Sequence, residues 1–489
     1  MKTTLLSEPE LEFGNGKHID IKFGLMNYAP LDFNLPLAPK KIKLAIVGIP
    51  ETIEGVARWL EHIRTGVQAK ESKRPNLFPR FPGYGEGQIL SADFILDKQL
   101  QRPISQRTLE ALCRKPRSPE ILREIAQLYL DEIEYLAQKT TADVIICGLS
   151  PVLVEFIDRL DRELSPQEDS DEEDDLDAPS QTKFVFHDYL KSRAMQYHKP
   201  TQFIRPATYG IKTQRKRSDG VMVTKQLQDE ATRAWNFYTA LYYKAGGVPW
   251  RLIRESTQLS TCYIGVSFFK TLDETRLLTS TAQVFNELGE GIILRGGVAT
   301  ITKEDKQIHL SAEGAYTLLK NALEIYRREH RTFPARVVVH KSSIHNQEEI
   351  DGFEKALESF SIDPEQADFL SVTDSNTRLF RPNRYPPLRG TFFETGGDEF
   401  ILYTKGSVDF FSTYPGLYVP LPLAFRCDMH SETPLFLAKE ILALTKMNWN
   451  NTQFDGGKPI TLRASRQVGS ILKYLDDNAS YEPYYRFYM

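Results

Sequence analysis

The sequence lacks several features that would have fixed its class at once. It has four cysteines, Cys113, Cys147, Cys262 and Cys427, far apart and without a C-x-x-C pair. That spacing indicates neither a zinc site nor a disulfide framework, and core thiols are the expected reading. No run approaches the ~18 consecutive apolar residues that a membrane span needs. The first twenty residues mix charged with apolar side chains and do not resemble a signal peptide, so a cytoplasmic protein without a membrane partner is expected. No internal repeat is visible. The turn after the first strand reads GIPETI (48–53) and has no G-x-G-x-x-G, which counts against a dinucleotide-binding enzyme.

What is present is a chain of 489 residues, 41% hydrophobic and 26% charged, a soluble globular composition. At ~100–200 residues per domain the length suggests about three domains or two large ones. The net charge of −4 misleads, because eight acidic residues and no basic ones lie between Glu168 and Asp177, and the remainder carries +4. That block reads as a solvated insertion. The opposite bias follows: Tyr189 to Lys225 holds nine Lys or Arg and a single acid, Asp219, a stretch suited to a polyanion.

Hydrophobic spacing orders the first half. KLAIVGI (43–49) and ADVIICGLS (142–150) read as buried strands, and KFVF (183–186) and TQFI (201–204) as short ones. Helices are expected over 51–67, 118–139, 152–164, about 188–197 and 225–244, with 74–90 a loop. Gly246, Gly247 and Pro249 stop the last helix. Alternating strands and helices from about 40 to 245 predict a doubly wound, Rossmann-like α/β domain. The second half predicts a mixed sheet with flanking helices: strands at 261–269, 291–297, 336–341 and 367–372, a hairpin over 389–404 turning at Gly396–Gly397, and helices at 311–330, 434–449 and 462–475.

Four residues fall at element ends. His187 lies where a strand gives way to a helix, Lys191 is one turn further on, Gln202 lies in a strand and Lys244 closes a long helix. A helix start offers free N–H groups and a positive dipole end. A cation, an imidazole and an amide around it make a candidate terminal-phosphate pocket. Singly, each has an ordinary structural explanation. The string KAGGVPW (244–250) does not, because turn chemistry accounts for its glycines and proline but not for the whole.

That string resembles the Lys-x-Gly-Gly-x-Pro-Trp junction between the MID and PIWI domains of the Argonaute family. HDYLK (187–191), PTQFIR (200–205) and Lys244 follow in the family's order. The resemblance implies that His187, Lys191, Gln202 and Lys244 bind the guide 5′ phosphate. His187 stands where the family often has tyrosine. The family also brings its chain-terminal carboxylate to this pocket, often with a divalent cation, so Met489 and a Mg²⁺ ion are expected there. The implied domains are an arm over 1–40 that could dock a partner, a MID domain over 41–250 with its acidic insert at 165–180, and an RNase H-like PIWI domain over 251–489.

Two-metal phosphodiester cleavage needs converging carboxylates. Aligned with the family's frames, this sequence has Ser267 in YIGVSFFK (263–270), Ser342 in VVVHKSS (337–343) and Lys439 in PLFLAKEILALTK (434–446). Glu287 and Glu290 are candidates for the glutamate of the family's mobile loop, and no motif chooses between them. A nuclease centre that has lost its carboxylates is therefore expected, with an active guide-directed nuclease as the alternative. The stretch before Lys244 leaves no room for separate N and PAZ domains. The resemblance is thus to short prokaryotic Argonautes. It implies a guide RNA, a complementary single-stranded DNA target, and an APAZ-containing partner whose effector is Sir2-like, or alternatively TIR-like, and consumes NAD⁺ in abortive defence against plasmids or phages. Higher-order assembly on activation is compatible with it.

Overall fold

Four parallel strands form the sheet of the first half, in the order Asp93–Pro103, Lys41–Gly48, Val144–Gly148, Thr201–Ile204. The structure is a computed structural model and describes residues 1–164, 184–210, 214–216, 222–224, 228–253, 260–285, 291–303, 305–381, 386–416, 419–454, 456–476 and 479–489. Alternate residues of Lys41–Gly48 enter two cores. Ile42, Leu44 and Ile46 join Ile53, Val56 and Leu60 of helix Pro50–Arg64, while Ala45 and Val47 join Ile125 and Tyr129 of helix Pro119–Lys139. Helices on both faces make the expected doubly wound arrangement. Asp93–Pro103 was not foreseen: it is an edge strand with three consecutive exposed residues, so it lacks the apolar run that marks its neighbours.

KFVF is not a strand in the described residues. Lys183 and the acidic insert lie outside them. Val185 is extended at the N-cap, and the helix begins at Phe186 and runs to Ala194, followed by a 3₁₀ turn over Met195–Tyr197. Phe186 is buried against Tyr129, which draws the helix start two residues earlier than expected and puts His187 in its first turn.

Among the described residues, the second half is built on a sheet of nine strands, ordered Lys2–Leu5, Thr391–Glu394, Glu399–Leu402, Leu423–Met429, Ala367–Asp374, Arg336–Lys341, Thr261–Lys270, Leu277–Phe285, Gly291–Val298. Thr261–Lys270, Arg336–Lys341 and Ala367–Asp374 are mutually parallel, and Thr261–Lys270 continues as an antiparallel meander into the last two. That five-strand pattern is RNase H-like, as expected. Helices Ala312–His330 and Gln347–Ser359 cover one face. Pro434–Leu444 and Ile460–Leu472 cover the other.

The opening residues are held by their own chain. Lys2–Leu5 pairs antiparallel with Thr391–Glu394, and Leu11–Phe13 pairs with Arg251–Leu252. Between them, the Glu8 carboxylate meets Arg389 at 3.1 Å and Lys446 at 2.7 Å, both cations being buried. The stretch expected to dock a partner is thus largely occupied by intramolecular pairing. No described helix is long and apolar enough to cross a membrane.

Candidate nucleic-acid interface

Helix Glu230–Lys244 is capped by Asp229, which accepts from Thr232 N, and it buries most of its side chains, Trp235, Tyr238 and Tyr242 among them. It ends because Gly246 adopts φ +95°, a left-handed geometry that glycine takes without strain. Val248 N and the Tyr242 hydroxyl then both donate to the Asp32 carboxylate, at 2.9 and 2.5 Å. Trp250 is fully buried and donates to Lys446 O at 3.0 Å. The junction string thereby ties the first half to the second and fixes the end of the helix that carries Lys244.

The structure brings His187, Lys191, Gln202, Lys244 and Met489 together. Lys191 is 1% exposed and Lys244 2% exposed. Lys191 Nζ donates to Thr201 O at 3.1 Å and also to the main-chain oxygen of Met489. Lys244 Nζ donates to Gln202 Oε1, and Gln202 Nε2 to Phe203 O at 2.9 Å. The half-buried His187 ring stacks at a tilt on Phe203, 4.6 Å between centroids. Its Nδ1 lies 2.8 Å from Asp188 Oδ1.

Electrostatics make this a site short of an anion. Burial lowers Lys191 to about 8. Burial, and then the Lys191 charge, push Lys244 well below the ordinary lysine value. Burial also lowers His187, against the pull of Asp188. Asp188 itself is raised by burial, yet the His187 hydrogen bond and charge, the Ser470 hydroxyl and Lys473 bring it below its usual value. Two buried ammonium groups beside a helix N-terminus suit a phosphate dianion, which would repay their desolvation.

The second candidate centre lies at the C-terminal ends of the parallel strands. Ser267 is buried and donates to Ser465 Oγ at 2.9 Å, and Ser342 N donates to Val266 O at 3.0 Å. Ser267 and Ser342 line a cavity of about 110 Å³ together with Thr373, Asp374, Lys458 and Arg466. Helix Ile460–Leu472 approaches so closely because strand residue 265 is glycine: a Cβ there would sit 2.0 Å from Thr461 O.

Lys439 does not belong to this centre, which corrects the sequence reading. It is exposed on helix Pro434–Leu444, and its neighbour Glu440 binds Arg336 and Tyr263 at the opposite ends of the same strands. The helical position facing Ser267 is Ser465. Ser465, Asp374, Lys458 and Arg466 were missed. The adjacent small residues Ala464 and Ser465, one of two such pairs in this helix beside Gly469 and Ser470, are the only hint of close packing there. Glu287 and Glu290 lie outside the described residues. Among the described residues, no three His, Cys, Asp or Glu side chains group as a metal site.

No family model and no curated protein matches the sequence. Solved structures do match. Clostridium butyricum Argonaute bound to a guide DNA and a 19-mer target DNA aligns with a TM-score of 0.63 at 14% identity, over 98% of this chain and 53% of that one. The fold is Argonaute-like. A. aeolicus Argonaute aligns at 0.58 and 14% identity over 97% of this chain and 53% of that one. Marinitoga piezophila Argonaute in complex with 5′ OH guide RNA aligns at 0.56 and 11% identity, over 100% of this chain and 59% of that one. The chain thus spans little more than half the length of these Argonautes. At such identities the likeness carries the fold and no residue roles.

The Mg²⁺ expected at the pocket does not fit the residues present. The oxygens on offer, of Met489 and Gln202, each already accept from a lysine ammonium. Two cations in that position repel a divalent ion, and the donor set selects an anion instead.

Proposed function

We propose that this chain is a guide-binding, non-cleaving Argonaute of the short MID–PIWI type. It holds the 5′ phosphate of a guide RNA between Lys191, Lys244, Gln202 and His187. It pairs that guide with complementary single-stranded DNA and signals to a separate APAZ-containing effector subunit, Sir2-like or alternatively TIR-like. The NAD⁺ consumption that ends the infected cell's growth belongs to that subunit. Base pairing supplies the specificity, and the protein contributes contacts to backbone and shape.

The convergence of two buried lysines, Lys191 and Lys244, with Gln202, His187 and Met489 carries this reading. Serines at 267, 342 and 465 support the non-cleaving part, since a hydroxyl is a poor ligand for a hard dication. The test is binding of 5′-phosphorylated and 5′-hydroxyl RNA of one sequence. The wild-type chain should prefer the phosphorylated strand, and the Lys191→Glu/Lys244→Glu variant should lose it. Undiminished binding by that variant defeats the assignment. Cleavage of a paired DNA target with Mg²⁺ or Mn²⁺ would defeat the non-cleaving part alone.

A further inference from the structure

We propose that the cavity between Ser267 and Ser342 is a metal-free phosphodiester site, in which Lys458 holds a backbone phosphate of a bound strand and Asp374 is the counter-ion that the phosphate displaces. This rests on the guide-binding reading above, because a loaded guide is what brings a strand to these strand ends.

Lys458 is only 6% exposed and lies just before Pro459, the N-cap of helix Ile460–Leu472. Its Nζ donates to Asp374 Oδ2 at 2.9 Å. The two partners differ sharply: the lysine side chain is 6% exposed and the aspartate 60%. The cation is therefore built into the wall, while the carboxylate stands largely in water. A buried ammonium keeps its charge only with an anion beside it. An exposed carboxylate is the partner that can leave, since it regains hydration when it does. Arg466 lines the same cavity.

The remaining lining is hydroxylic: Ser267, Ser342 and Thr373. Hydroxyls donate to phosphate oxygens. The cavity they share with Lys458 is small, about 110 Å³. Positive charge from Lys458 and Arg466 thus occupies the place where carboxylates would otherwise gather dications. The arrangement grips a strand at its backbone without activating any nucleophile.

The experiment measures target-DNA affinity of the guide-loaded full-length chain at several salt concentrations. Lys458→Met should weaken target binding on the order of tenfold and flatten the salt dependence by about one released counterion. Lys458→Arg should retain most of the affinity, and Asp374→Asn should increase it by removing the competitor. All three should load guide normally, because Lys458 and Asp374 lie outside the 5′ pocket. Single methylphosphonates, placed in turn along target and guide, should reveal one position whose neutralisation weakens the wild type but not Lys458→Met. That position names the strand. If loaded Lys458→Met and Asp374→Asn both bind target as the wild type does, or no such position exists, the phosphodiester site is overturned and guide binding stands. If the wild-type chain loads no guide, the guide-binding reading falls and takes this proposal with it.

Discussion

Lys191 and Met489 stand 298 positions apart, yet the Lys191 ammonium donates to the Met489 main-chain oxygen. The pocket is therefore assembled from both halves of the chain and exists only when they fold together. Tyr488 O accepts from Gln467 Nε2 at 3.1 Å, which fixes the last residues against helix Ile460–Leu472. The same helix faces the Ser267 cavity, so one element borders both candidate centres.

The pocket's titration gives guide binding a pH dependence. Lys191, lowered to about 8 by burial, is charged in the free protein below that pH. A bound phosphate favours the charged form and raises the value again. Affinity for 5′-phosphorylated RNA should therefore fall as pH rises through about 8. Lys244, also lowered, acts in the same direction. The phosphate stays mostly dianionic over this range, its second pKa being about 6. Anisotropy titrations at half-unit pH steps would show the decline for the phosphorylated strand and a nearly flat profile for the 5′-hydroxyl strand. Equal profiles would remove the lysines from the contact.

Gly265 is where strand Thr261–Lys270 and helix Ile460–Leu472 touch. The Gly265→Ala methyl would lie 2.0 Å from Thr461 O, and backbone on backbone leaves no side chain to swing aside. The helix must shift, and the Ser267–Ser465 hydrogen bond with it. The expected loss is about 3 kcal/mol, at the upper end of overpacking costs, read as a lower denaturant midpoint with an unchanged slope.

Much of this was legible in the sequence, for reasons that differ by residue. Strands such as Val144–Gly148, buried at all five positions, announce themselves as apolar runs. Leu423–Met429 did not, because Pro420 and Pro422 precede it and its second half is only half-buried. The pocket could be read because KAGGVPW concentrates turn chemistry, a cation and a buried tryptophan in seven residues. The second centre could be read only on its strands, where Ser267 and Ser342 sit in fixed frames. Its helix could not, because Pro434–Leu444 and Ile460–Leu472 both carry apolar faces, and which one reaches Ser267 is decided by tertiary packing. Lys439 was placed by its local string, and the fold put Ser465 there instead.

Arg336 holds the other end of the same strands. It is 3% exposed and binds Asp368 at 2.7 Å and both oxygens of Glu440 at 2.7 and 2.9 Å. Asp368 is fully buried, with Ser431 N and Glu432 N also donating to it. Arg336→Met should cost about 3–5 kcal/mol, because it strands a buried charge rather than removing a favourable one. Adding Asp368→Asn should recover part of that loss. Chemical denaturation of the two single variants and the double variant measures the coupling, and strict additivity would show that the pair does not interact.

Placing carboxylates at the second centre tests whether its geometry suits a metal. Ser267, Ser342 and Asp374 line one cavity, and Ser465 touches Ser267. Aspartates at 267, 342 and 465 would therefore crowd four carboxylates into a small space. Without metal they repel, and Ser267 and Ser465 are buried, so the triple variant should unfold at a lower temperature than the wild type. Mn²⁺ should reverse this, by about 2.7 kcal/mol when its concentration reaches 100 times the dissociation constant. The wild type, with hydroxyls at those positions, should show no such shift. Lys458 opposes the ion in the variant, so adding Lys458→Met should lower the Mn²⁺ concentration needed. Equal Mn²⁺ responses in variant and wild type would mean that these three positions do not converge on a common point.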